Sequence, residues 1–197
     1  MIRVLFIDNF DSFTFNLVDE FAKRECQILV YRNNTPREKI NEVIREFKPS
    51  LIVISPGPGT PEKAGNCMKI IEEYAGKIPL FGVCLGMQAI TEVFGGKVSK
   101  CSETIHGKAS RLTHDNKTIF KNINQEFPAG RYHSLSAVEV PDCLEASAKT
   151  VKGIVMAVRH KEKFVEGVQF HPESVLTPEG GKIIENLLEL VGGKEND

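Results

Sequence analysis

Pro79-Leu80-Phe81-Gly82-Val83-Cys84-Leu85-Gly86-Met87-Gln88 reads as a buried strand that turns abruptly into a helix. Residues 79–83 form a short uncharged apolar run, as in a strand covered on both faces. The helix that follows is predicted over 85–94 and is closed by Gly95-Gly96. The same alternation runs upstream. Val4-Leu5-Phe6-Ile7 is a buried strand that stops at Asp8. Ser12 is the predicted N-cap of a helix carrying Phe13, Leu17 and Phe21 on one face. Residues 27–31 make a second strand. Pro36 opens a helix with Ile40, Val43, Ile44 and Phe47 on one side, ended by Pro49. Leu51-Ile52-Val53-Ile54 is a third buried strand, and another helix is predicted over 66–74. Strands alternating with helices in this way imply a parallel sheet covered on both faces.

From Lys97 the pattern changes. Residues 109–112 and 154–158 alternate over short stretches between turns, which predicts antiparallel strands extending the sheet. A last helix is predicted over 181–190, ending at Gly192-Gly193, with residues 194–197 frayed. No stretch is rich enough in Gly, Ser or Pro to mark a linker. The expectation is one domain over 1–197 with an α/β, three-layer architecture: a mostly parallel, flavodoxin-like central sheet with helices on both faces, plus antiparallel strands in the second half.

Composition narrows the function classes. The 197 residues carry 25 Lys+Arg against 26 Asp+Glu, a net charge of −1. That balance argues against nucleic acid as a partner, which calls for a basic excess. The apolar N-terminal run is far too short for a signal peptide or a membrane span. Five scattered cysteines, an odd number, do not make a disulfide scaffold, and a reducing, cytoplasmic compartment is expected.

The chemistry concentrates in three segments. In Gly82-Val83-Cys84-Leu85-Gly86, glycines flank a central cysteine at −2 and +2 on a strand-to-helix turn. The same arrangement around serine is the nucleophile elbow, a strained turn that exposes its side chain above the sheet. A helix N-terminus favours the thiolate, the reactive form of Cys84. Cys26, Cys67, Cys101 and Cys143 lack such a setting and read as structural. The segment Gly167-Val168-Gln169-Phe170-His171-Pro172-Glu173 supplies a base and an orienting carboxylate. On an extended chain His171 and Glu173 point to the same side, and Pro172 disfavours helix at His171. His106, His114, His133 and His160 have no comparable local partner. There is no Cys-x-x-Cys pair and no His-x-x-x-His, so neither a metal nor a cofactor is expected. Finally, Ser55-Pro56-Gly57-Pro58-Gly59 follows the third strand and lacks the Gly-Lys-Ser/Thr of a phosphate loop. It is either a plain turn or a rigid loop aiming a backbone N–H, from Gly57 or Gly59, at a developing oxyanion. Pro58 has no N–H to offer. Leu85 N–H, just after the cysteine, is the natural second donor.

Taken together, residues 55–59, 82–88 and 167–173 resemble class I glutamine amidotransferases over nearly the whole chain. Residues 8–14, 105–108 (Ile-His-Gly-Lys) and 131–135 (Arg-Tyr-His-Ser-Leu) are similar to the glutaminase component of anthranilate synthase and its relative in aminodeoxychorismate synthase. The resemblance implies a Cys84–His171–Glu173 triad that hydrolyses L-glutamine through a cysteinyl thioester. It implies Gly57 and Leu85 as oxyanion donors, and Gly57, Pro58, Gly59, Gln88, Ser134 and Leu135 around the bound glutamine. It also implies a heteromer with a chorismate-binding synthase subunit that receives the ammonia. Phe10 and residues 105–108 favour the anthranilate branch over the aminodeoxychorismate one. A cysteine peptidase or esterase with the same triad, and a catalytically silent flavodoxin-like binding module, are the rival readings.

Overall fold

The structure, a computed structural model, describes residues 1–193, without the side chains at 102–106. The tail at 194–197, expected to fray, lies outside the described residues, as do the side chains of Ile105 and His106. The elements in chain order are β1 (Arg3–Asp8), α1 (Thr14–Ala22), β2 (Gln27–Arg32), α2 (Arg37–Phe47), β3 (Leu51–Ile54), α3 (Cys67–Tyr74), β4 (Leu80–Val83), α4 (Leu85–Val93), β5 (Lys97–His114), β6 (Phe127–Glu139), β7 (Leu144–Thr150), β8 (Val155–His160), β9 (Val165–Val168) and α5 (Gly180–Gly193). Short 3₁₀ turns occupy Pro61–Lys63 and Thr118–Phe120.

All nine strands join one sheet in the order β2-β1-β3-β4-β9-β8-β7-β5-β6. The first five are mutually parallel, and from β9 onward every pairing is antiparallel. The apolar runs behave as strands buried on both faces. On one face Val4, Phe6, Leu51, Val53, Phe81 and Val83 pack with Leu17 and Phe21 of α1 and Ile183, Ile184 and Leu187 of α5. On the other, Leu5, Ile7, Ile52, Ile54 and Leu80 meet α2, α3 and α4 through residues such as Ile44, Ile70 and Ile90. Each such side chain contributes about 1.5–3 kcal/mol by leaving water.

Three local expectations are corrected. Ser12 does not cap α1: the Asp11 carboxylate accepts the Phe13 N–H at 2.8 Å, while Ser12 faces solvent. The predicted strand at 109–112 is the end of an 18-residue strand. Register shifts along the β5–β6 pair reset its alternation, so no period-2 pattern survives over its length. The third correction concerns residues 171–174 and is described with the site.

Glu166 is the costliest burial in the sheet. It sits on β9 beside Arg159 of β8, whose other cross-strand neighbour is Glu145 of β7. Arg159 donates to Glu145 Oε1 at 2.8 and 2.6 Å, to Thr118 Oγ1 at 2.6 Å, and to Asp115. Glu166 Oε2 is buried with no hydrogen bond. Burial therefore pushes the Glu166 carboxyl up to about 7, against the opposing effects of Thr118 and Arg159. A carboxyl raised in the folded state binds its proton more tightly than the unfolded chain does, so stability falls as pH rises towards that value. Glu166→Gln, which mimics the protonated form, should match the parent Tm near about pH 5 and exceed it near about pH 8, by at most about 3 kcal/mol. Thermal unfolding at the two pH values checks this; an equal gain at both would mean the carboxylate is not strained.

Candidate active site

The carboxyl ends of four adjacent parallel strands deliver the site. Asp8 ends β1, Ser55 follows β3, Cys84 follows β4 and Gln169 follows β9. Cys84 is the N-cap of α4 and adopts φ 54°, ψ −103°, a conformation that L residues rarely hold. The flanking glycines explain why it is held there. A Cβ on Gly82 would lie 2.5 Å from the Gly86 backbone, and one on Gly86 would lie 2.4 Å from the Ile54 carbonyl. The chain thus turns between β4 and α4 in a space only glycine admits. Cys84 N–H is anchored on Val168 O at 2.8 Å.

The residues 55–59 loop is held against this elbow. A Cβ on Gly57 would strike Leu85 Cδ2 at 2.8 Å and Asn9 Cβ at 2.4 Å, so loop and elbow are in contact. Asn9 braces the loop through Nδ2 to Ser55 O at 2.8 Å and accepts from Asn33 and the Cys67 thiol. Asp8 Oδ1 accepts from Phe10 N–H and Thr14 Oγ1. The polar residues at 8–14 are therefore the frame of the loop, a role their sequence did not reveal.

His171 Nδ1 bonds Glu173 Oε1 at 2.6 Å, with both side chains almost wholly buried. They meet through a turn and not along an extended chain. Ser174 N–H donates to His171 O at 3.2 Å, closing residues 171–174, and Thr177 Oγ1 donates to the same oxygen at 2.7 Å. Pro172 occupies the second position of that turn, where its fixed φ fits. Phe13 and Tyr132 stand edge-on to the imidazole at 5.5 and 5.0 Å. Burial by itself lowers the His171 pKa, but the Cys84 sulfur and the Glu173 carboxylate beside it outweigh that and raise it well above its ordinary value. An imidazolium stable at neutral pH thus faces the sulfur, and its charge is lost only on the alkaline side.

A cleft of ≈ 230 Å³ opens over Cys84, lined by Gly57, Pro58, Gly59, Gln88, Tyr132, His133, Ser134 and Leu135. Every residue expected around a ligand is present there. Gln88, one helical turn beyond Cys84, gives both Nε2 hydrogens to protein acceptors: Leu135 O at 3.2 Å and Gln169 Oε1 at 3.1 Å. Its Oε1 is left as the group offered to a ligand. Two residues went unsuspected. His133 bonds Leu135 O through Nδ1 at 2.8 Å, and Gln169 bonds Cys84 Sγ through Nε2 at 3.5 Å. Their partners lie on the strand itself or 85 residues away, so only the pattern of residues 131–135 and 167–173 as a whole marked them.

With a strained cysteine facing a histidine–carboxylate pair, the chain can be set beside known proteins. The family model described as "Glutamine amidotransferase class-I" matches residues 5–190. The chain belongs to this family. It is 43% identical, over its full length and that of the relative, to "Anthranilate synthase component 2" of Vibrio parahaemolyticus. It is 45% identical to "Aminodeoxychorismate/anthranilate synthase component 2" of Bacillus subtilis, covering 94% of this chain and 95% of that one. It is 49% identical to a "Multifunctional tryptophan biosynthesis protein" of Pichia angusta, of which 97% of this chain spans only 52%. Among solved structures, a putative GMP synthase glutaminase-fold protein from Thermoplasma acidophilum superposes with a TM-score of 0.87, covering 100% of this chain and 96% of that one; at 20% identity this likeness speaks for the fold alone.

The setting of the thiols carries a test. Cys67 is fully buried, donates to Asn9, and is pushed up to about 12 by burial. Cys84 lines an open cleft opposite an imidazolium. Iodoacetamide at neutral pH should therefore label Cys84 at least about tenfold faster than Cys67 in the folded protein. Peptide mass mapping over time measures both, and equal rates would refute an activated thiol.

Proposed function

We propose that this chain is the glutaminase subunit of an anthranilate synthase, with a single amidotransferase domain over its whole length. It hydrolyses L-glutamine and passes the ammonia to a chorismate-aminating synthase subunit. The observation that carries this reading is the buried Glu173–His171 pair set against Cys84 at a strained elbow.

The steps follow from the residues. Glutamine's α-ammonium is a donor and pairs with Gln88 Oε1, the one acceptor that amide has free for a ligand. The Cys84 thiolate attacks the side-chain amide carbon, and charge moves to the amide oxygen. Leu85 N–H, in the unpaired first turn of α4, and Gly57 N–H receive that oxyanion. His171 protonates the departing nitrogen, and ammonia leaves. Neutral His171 then takes a proton from water, the hydroxide attacks the thioester carbonyl, and glutamate departs as the thiolate reforms. Glu173 keeps the proton of His171 on Nδ1 when the ring is neutral and stabilises the imidazolium when it is charged.

The cleft is smaller than the roughly 300–1,000 Å³ of drug-sized ligand sites, which supports a free amino acid over a peptide. Ammonia released into water is protonated and lost as a nucleophile, which supports a partner docked over the site. Phe10 and Val175 stand 49% and 95% exposed, two residues from Asp8 and Glu173, and offer apolar surface on that side. The double name of the Bacillus subtilis relative favours a second reading, in which one subunit serves both chorismate-aminating synthases.

Cys84→Ser should abolish glutamine-dependent product formation by the reconstituted complex and leave ammonia-dependent formation within about twofold, because only the glutaminase half is lost. His171→Ala should fall as far as Cys84→Ser, and Glu173→Ala less far, since it removes an orienting group and not the base. Glutamine hydrolysis by Cys84→Ser at the parent rate would overturn the mechanism. Side-by-side assay of glutamine, peptide and ester substrates separates the peptidase and esterase readings, and the chorismate product formed with the co-purified partner decides the branch.

A further inference from the structure

Gln169 is fully buried directly after β9, and nothing in the steps above requires it. Its amide nevertheless bridges the nucleophile and the substrate-facing amide, through Nε2 to Cys84 Sγ at 3.5 Å and Oε1 from Gln88 at 3.1 Å. The direction of this bridge is dictated from outside. The Leu135 carbonyl can only accept, so Gln88 must turn Nε2 towards it. The second Gln88 hydrogen then meets Gln169, which must answer with Oε1. Nε2–H of Gln169 is left pointing at the sulfur.

The far end is set as firmly. Arg131, fully buried, donates Nε–H to His133 Nε2 at 3.0 Å, and a guanidinium has no acceptor. Neutral His133 therefore carries its proton on Nδ1, which donates to that same Leu135 carbonyl at 2.8 Å. Reversing either amide would place two donors or two acceptors face to face in a dry interior, a costly arrangement.

We propose that Gln169 is a further catalytic residue of this site: its amide N–H, oriented by the chain Arg131–His133–Leu135–Gln88, holds and stabilises the anionic sulfur of Cys84. The proposal rests on the reading of Cys84 as nucleophile. A second donor on the sulfur leaves the His171 proton available for the departing nitrogen. The same donor meets the charge again when the thiolate is expelled from the thioester.

The test compares parent, Gln169→Met and Gln169→Glu in the complex with the synthase subunit. Methionine keeps the length without a donor; glutamate still accepts from Gln88 but offers the sulfur no N–H. Both should lower kcat for glutamine about tenfold, the worth of one charge-assisted hydrogen bond, with KM within about twofold. Alkylation of Cys84 by iodoacetamide should slow by a similar factor at neutral pH and return to the parent rate at alkaline pH, where every accessible thiol is ionised. A merely structural role would not produce that pH-dependent convergence. Parent-like kcat and alkylation in either folded variant, or a change in KM alone, overturns the proposal. One measurement leaves Gln169 in place: its side-chain ¹⁵N–¹H resonances should shift between the parent and Cys84→Ala, and unchanged resonances would also overturn it. A parent complex inert towards glutamine would instead sink the glutaminase reading, while the alkylation difference would still report on the hydrogen bond to sulfur.

Discussion

The close approach of β4 to α4 at Gly82 and Gly86 governs this molecule. With backbone atoms where two Cβ groups would stand, the chain has no relaxed route from strand to helix, and Cys84 is forced to positive φ. Such a conformation costs of order 1–3 kcal/mol and persists only because the surrounding structure over-determines it. The hydrophobic packing of Leu80, Phe81 and Val83 on one side and Leu85, Met87 and Ile90 on the other supplies that restraint. The consequence is functional. The sulfur is lifted out of the sheet, set at a helix N-terminus, and placed one helical turn from Gln88.

Around this turn the electrostatics are arranged so that burial does not defeat charge. An imidazole as deep as His171 would normally be neutral, because desolvation disfavours its cation. Two neighbouring negative groups reverse the balance, and the Phe13–Tyr132 cage keeps water from screening them. Glu166, lower on the same strand, lacks enough compensation and drifts towards its neutral form. The two cases differ in partners, not in depth.

The half of the fold that was legible in the amino-acid order is the half with simple periods. Four-residue apolar runs such as Leu51–Ile54 announce strands covered on both sides, and the Gly-x-Cys-x-Gly spacing announces the elbow. The rest depended on contacts that order does not display. The alternation of β5 is broken by register shifts, Asp11 outcompetes Ser12 for the Phe13 N–H, and residues 171–174 close a turn where an extended chain was expected. His133 and Arg131 look like ordinary strand residues until β6 is folded beside α4. Gln169 acquires a role only through a sulfur 85 positions earlier in the chain.

β9 shows why these distant pieces meet reliably. It is the seam of the sheet, parallel to β4 on one side and antiparallel to β8 on the other. Its register with β4 pairs Val83 with Val168, so Cys84 and Gln169 emerge side by side at the carboxyl edge, and His171 follows within reach. Cys84 N–H on Val168 O ties the nucleophile's own backbone to the strand that carries the base. A slip of one residue would send Gln169 to the opposite face and break every bond of the relay, since side chains alternate along a strand. The flanking pairs Phe81–Glu166 and Gly82–Gly167 resist that slip: Gly167 lies so close to Met87 that a Cβ there would touch it at 3.0 Å. Catalytic geometry is thus inherited from strand register, and the register from close packing of glycines against α4.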